Sequence, residues 1–173
     1  MGVGADVSLG TDWTVYGEAS VGSTGPQALA GLSHEPEPGK RSYLGIRVLG
    51  ETRDDFFTDS RAVSGLVLGT EQRINEALSV HAENNYGLFS DAGSTTALYG
   101  VNFKPDALWT GSGTYETGRI VDDFGSDFER HAISLALGYQ DDGIEWSGRG
   151  EFRLEDSADG TRDRVTALLQ SGV

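Results

Sequence analysis

The sequence predicts an all-β fold, an up-and-down antiparallel sheet of about eleven visible strands, patterned as a transmembrane β-barrel of about 12 or more strands when complete. Three observations predict it. One stretch alternates polar and apolar residues over an unusual length, a hairpin-sized repeat runs through the chain, and the connections alternate in character.

The alternation is clearest from Ile144 to Glu155. Ile144, Trp146, Gly148, Gly150, Phe152 and Leu154 carry no ionisable group, whereas Glu145, Arg149, Glu151, Arg153 and Glu155 occupy the opposite parity with Ser147. Successive strand residues point to opposite faces, so all the charge falls on one side. Half-buried strands of soluble sheets usually span about five or six residues. A membrane-spanning strand needs about 9–11, apolar towards lipid and polar within.

A glutamate ends the same short phrase five times, at Glu18, Glu51, Glu83, Glu116 and Glu151. The spacings of 33, 32, 33 and 35 residues define one repeat unit. Periodicity within each unit is 2 rather than 3.6, so the unit is a β-hairpin: two strands of about ten residues and two connections. The whole chain, residues 1–173, reads as one barrel domain or barrel segment built from such hairpins.

Strands are expected at about 3–9, 13–22, 27–34, 42–53, 61–71, 77–88, 94–103, 107–119, 130–140, 144–155 and 162–173. Gly10-Thr-Asp12, Pro38-Gly39, Gln72–Glu76, Lys104-Pro-Asp106 and Asp141-Asp-Gly143 supply turn chemistry between them. The other connections read as mostly longer and more acidic: 54–60, 120–129 and 156–161, with 89–93 a shorter member. Short turns at one end and long polar loops at the other are the asymmetry of membrane barrels. Outward positions are then Val15, Ile46, Val80, Leu135 and their like. Inward positions are Glu18, Arg47, Glu51, His81, Glu83, Glu116, Arg149, Glu151 and Arg153, which would line a lumen. Aromatic residues form two expected girdles, Trp13, Phe103, Trp109, Tyr139 and Trp146 near the short turns and Tyr86, Tyr115 and Phe152 near the long loops.

Composition narrows the function. Thirteen basic against 27 acidic residues give a formal charge of −14, which argues against nucleic acid as a partner. The chain has no cysteine and three histidines, leaving no thiolate chemistry and little for a zinc site. No apolar run approaches the roughly 20 residues of a membrane helix, a test blind to barrels. No secretory leader precedes the first strand, so an exported chain implies one outside this sequence. The acids Asp122, Asp123, Asp127 and Glu129, or Asp156, Asp159 and Asp163, do not match the calcium-loop spacing and read as solvated surface. Asp127 with His131 lacks a serine nucleophile motif. No catalytic residue, metal or cofactor is expected.

Three phrases, Gly10-Thr-Asp-Trp-Thr-Val-Tyr-Gly-Glu18, Arg73 to Glu83, and Asp142-Gly-Ile-Glu-Trp-Ser-Gly-Arg-Gly-Glu-Phe-Arg153, resemble the proteobacterial (Gram-negative) outer-membrane β-barrels, porin-like and built of hairpin repeats. That resemblance implies the bacterial outer membrane as location, outer-membrane lipid and the barrel assembly machinery as partners, and a passive pore or membrane scaffold rather than an enzyme, with ion transport as the activity. It names no solute and no oligomeric state. The chain departs from it by ending Gln170-Ser-Gly-Val173 without a terminal aromatic, and by an odd strand number. Both are expected of a fragment, with missing strands of the same parent protein as neighbours. A soluble, secreted all-β binding module is the alternative, at the cost of burying mid-strand Arg and Glu. If the lumen is open, a ring of the five glutamates, with acid in excess, would favour cations.

Overall fold

Every alternating segment becomes a strand in the computed structural model, which describes residues 1–22, 25–48, 64–89, 93–121 and 127–172. In chain order these are β1 (Gly2–Leu9), β2 (Trp13–Gly22), β3 (Gly25–Glu37), β4 (Lys40–Val48), β5 (Gly65–Arg73), β6 (Leu78–Gly87), β7 (Thr95–Phe103), β8 (Trp109–Val121), β9 (Asp127–Asp141), β10 (Ile144–Ser157) and β11 (Gly160–Gly172). They form a single sheet in sequence order, each strand antiparallel to the next. Among the described residues there is no helix, and only strands adjacent in sequence approach one another. The sheet is not closed into a barrel: β1 and β11 each pair on one side alone.

The turns explain why hairpins form where they do. Gly143 takes a φ of 87° between the paired Asp141 and Ile144, a left-handed conformation that glycine adopts without a steric penalty. Before β8, the Asp106 carboxylate accepts the N–H groups of Leu108 and Trp109, both at 2.9 Å, fixing the chain's entry into the strand. Asn75 performs the same task before β6, accepting from the Ala77 N–H at 2.8 Å. A register shift between His34 and Glu37 lets the Glu35 carboxylate accept the Gly39 N–H at 2.9 Å.

Two expectations about connections need correction. The stretch 156–161 is not a long loop, because β10 and β11 continue through it to a turn at residues 158–159. Asp156 pairs with Thr161 across the hairpin, and the Thr161 hydroxyl donates to the Asp156 carboxylate at 2.9 Å. A run of acids and glycine looks like a loop in sequence, yet here its polar groups satisfy each other across strands. At the same end, β2 and β3 are joined by residues 23–24 alone. The strands β8 and β9 also run into the expected loop 120–129 and leave 122–126, no longer than 104–108 at the other end, so sorting by length is confined to the connections 49–64 and 88–94, which fall mostly or partly outside the described residues. The expected fourth strand is described as far as Val48, and its residues 49–53, Glu51 among them, lie outside the described residues.

Register carries the most information about curvature. One continuous row of paired residues crosses all eleven strands: Ser8, Thr14, Ser33, Tyr43, Gly69, Glu83, Leu98, Glu116, Ala132, Arg153 and Arg164. Thr14 lies one residue past the start of β2, Tyr43 three past β4, Glu83 five past β6, Glu116 seven past β8 and Arg153 nine past β10. The short turns thus step back by two residues per hairpin, one per strand. With about 3.3 Å per residue and about 4.8 Å between strands, that stagger means a tilt of about 35° when the turns are level, the tilt of strands wound into barrels. The stagger is uniform across the sheet, which is how a single shear builds.

Candidate functional site

The row just described fixes which side chains share a face. Along β9, Arg130, Ala132 and Ser134 are 2%, 6% and 9% exposed, whereas Ile133, Leu135 and Leu137 between them are 51%, 64% and 47% exposed. A flat single sheet would expose both faces alike. Burial of one parity means that its side chains converge, so the sheet curls towards the polar face and turns its apolar face outwards. Among the described residues the buried hydrophobics are Val67, Ile120 and Ala132, fewer than the buried polar and charged residues, which include Asn85, Thr96, Glu116 and Arg130. The usual inside–outside order is inverted.

Small residues on one strand receive long side chains from its neighbour. The Tyr43 ring lies over Gly69, the His81 ring over Gly100 and the Tyr16 ring over Gly31, and a Cβ at any of these glycines would collide with the ring. Such covering of strand glycines by aromatic rings is a device of curved sheets. It also aims the Tyr43 hydroxyl, which donates to Glu83 Oε2 at 2.7 Å. Arg47 completes this group, 3.5 Å from Glu83 and donating to Asn85 Oδ1 at 3.3 Å, while Asn85 donates to Glu83 Oε1 at 3.1 Å. The Arg41 guanidinium sits 5.5 Å from the Tyr43 ring and 5.9 Å from that of Tyr16.

A second group spans β8 to β10. Arg130 donates to Glu155 Oε1 through Nε at 3.1 Å and Nη2 at 2.6 Å, and stands 3.7 Å from Glu116 Oε1. That last separation is an ion pair without a hydrogen bond, and Glu116 Oε1 is buried with no hydrogen-bond partner. Arg153 meets Glu151 at 2.7 Å, and the Ser134 hydroxyl donates to Glu151 Oε2 at 3.1 Å.

The expected inward residues Glu18, Arg47, His81, Glu83, Glu116, Arg149, Glu151 and Arg153 all fall on this face by register; Glu51 lies outside the described residues. Glu18 and Glu83 each follow their strand start by five residues, Glu116 and Glu151 by seven, so the four occupy a band about 5 Å deep. Acid is in excess by number in that band, four carboxylates to two guanidiniums among the described residues. Arg149 and Arg47 lie at the same levels, and Glu83, Glu116 and Glu151 each have an arginine partner. Glu145 and Glu155, placed on the polar parity by the alternation, share the face, as do Asp6, Arg41, Glu71, Arg73, Arg130, Arg162 and Arg164, which sequence reasoning missed. Among the described residues on the regular ladders, Asp6, Glu18, Glu71, Glu83, Glu116, Glu145, Glu151 and Glu155 share the face with Arg41, Arg47, Arg73, Arg130, Arg149, Arg153, Arg162 and Arg164. Eight carboxylates meet eight guanidiniums, so the formal charge of −14 belongs to turns, strand ends and other positions. Extending each strand's parity to its ends would have found these residues.

The expected girdle residues lie on the opposite, apolar face. Trp109 packs against Tyr139 at 4.9 Å and edge-on against Trp146 at 5.6 Å, all three in one row of paired residues. Trp13 stacks on His34 at 4.3 Å, and Phe103 is exposed beside the next short turn. Tyr115 hydrogen-bonds His131 Nδ1 at 3.0 Å, six residues above the start of β8, and Tyr86 and Phe152 lie eight above theirs. Allowing for tilt, the two aromatic levels are about 16–22 Å apart, somewhat under the roughly 25 Å apolar band of membrane barrels.

At the short-turn end the polar face opens into a concavity of about 600 Å³. Its wall is mostly apolar, with Ala136 and Leu168 on it; Ser79, Asn102, Ser112, Ser147 and Gln170 set neutral hydrogen-bonding groups into that wall, and Arg73, Lys104 and Arg149 stand around it with Glu76. No protein-family model, curated protein or solved structure matches this chain.

Proposed function

We propose that this chain is a membrane-spanning β-barrel, or a hairpin-repeat segment of one, acting in the bacterial outer membrane as a passive pore or scaffold without enzymatic activity. The inverted burial of the two faces carries this reading. Leu44, Ile46, Leu135, Leu137 and Leu169 stand open on the outward face, while charged side chains are withdrawn on the inward one. In water such an apolar surface would be unfavourable by about 25 cal/mol per Å², and a single-layer sheet offers nothing to cover it. In lipid the same surface is solvated, and the paired arginines and glutamates line the interior. The uniform stagger and the two aromatic levels support the same reading. A soluble binding module would need a second layer against the apolar face, and among the described residues strands meet only their sequence neighbours.

Purification supplies the test. The chain is expected to remain monodisperse in detergent and to aggregate when detergent is withdrawn, and to raise conductance in planar bilayers if it acts as a pore. A chain that stays monomeric and folded in buffer alone would overturn the membrane reading. Insertion without conductance would leave the scaffold and remove the pore.

A further inference from the structure

We infer that the concavity at the short-turn end is a binding subsite for a small hydroxyl-rich anion of the sugar-phosphate class. Two features of the polar face distinguish this end. Deeper in, guanidiniums are spent on carboxylates: Arg47 on Glu83, Arg130 on Glu116 and Glu155, Arg153 on Glu151. Around the concavity the balance changes, because Arg73 and Lys104 face it against the one carboxylate of Glu76. In a chain of formal charge −14 this is a locally cationic pocket. Among the described residues neither Arg73 nor Lys104 has an acidic partner, so both remain available to a ligand.

The lining sets the rest of the chemistry. Serine and amide side chains between the cations, Ser112 and Ser147 among them, donate and accept hydrogen bonds as a polyol requires. Phosphate suits the cations, arginine bidentately and lysine as a point charge. About 600 Å³ falls in the range of small-molecule sites, with room for a monosaccharide phosphate and the water around it. The cation preference expected of the glutamate ring concerns levels deeper in and is separate from this subsite. The subsite rests on the pore reading only for the route by which a solute arrives.

Calorimetric titration of the detergent-solubilised chain with glucose 6-phosphate tests it, with glucose and spermidine as comparison ligands. Glucose 6-phosphate should bind at least tenfold more tightly than glucose, and spermidine should not compete. The double variant Arg73→Gln/Lys104→Gln should weaken glucose 6-phosphate at least tenfold without altering the circular dichroism spectrum. Arg119→Gln, on the outward face, should leave it unchanged. Equal affinity for glucose and its phosphate, undiminished binding in the double variant, or no binding at all would overturn the subsite. Binding retained by a preparation that fails to conduct would remove the pore and leave the subsite standing.

Discussion

The two faces of β9 carry opposite instructions in alternate residues. One face presents isoleucine and leucine to the surroundings. The other withdraws an arginine, an alanine and a serine beneath the neighbouring side chains. Arg130 is sequestered with Glu116 and Glu155, at a desolvation penalty of several kcal/mol per ion that only close pairing offsets. Leu135 gains nothing from its position if the medium outside is water. The difference teaches that charge is held on one face by pairing, while the apolar face has no covering layer among the described residues.

The largest effect should come from breaking the sequestered pair. Arg130→Ala leaves Glu116 and Glu155 without their cation and is expected to cost about 3–5 kcal/mol, read as a fall in the denaturant midpoint. A loss below about 1 kcal/mol would mean that water reaches the group freely. Next comes the outward face, where Leu135→Arg separates the two media. In lipid near the midplane it should cost about 2–4 kcal/mol and impair assembly into liposomes, as should Val80→Arg. In water a substitution at so exposed a position should stay within about 0.5 kcal/mol.

Smaller effects concern how the polar face is packed. Gly69→Ala puts a methyl where the Tyr43 ring lies, displacing the hydroxyl from Glu83, and is expected to cost about 1–3 kcal/mol in thermal or chemical unfolding. Tyr43→Phe keeps the ring over Gly69 and removes only the hydrogen bond, so about 1–2 kcal/mol should be lost. If the glycine variant costs less than the phenylalanine variant, the ring does not need its place over Gly69.

Facing was legible in the sequence because it is local. Trp146, Phe152, Glu151 and Arg153 declare their side by parity alone, and all eleven strands follow from such alternation and from turn residues such as Gly143 and Asp106. Pairing was less legible, because it depends on where each turn closes. The Asp156-to-Thr161 hairpin hid inside acidic residues that resemble a loop. The balance of charge hid at strand ends, where Arg41, Arg73, Arg130, Arg162 and Arg164 lie outside the repeated phrase that ends in the glutamates. Closure was not legible at all, since nothing local says whether β1 or β11 has a further neighbour.

The most direct test of the outward face uses the three tryptophans. Trp13 and Trp109 begin β2 and β8, and Trp146 lies two residues into β10, all on the apolar face and so at nearly one level. In vesicles containing lipids brominated at defined depths, tryptophan fluorescence should be quenched most by bromine near the headgroups and only weakly by bromine at the bilayer centre. Fluorescence indifferent to bromine at every depth, in a preparation bound to the vesicles, would show that this face does not meet lipid and would contradict the account.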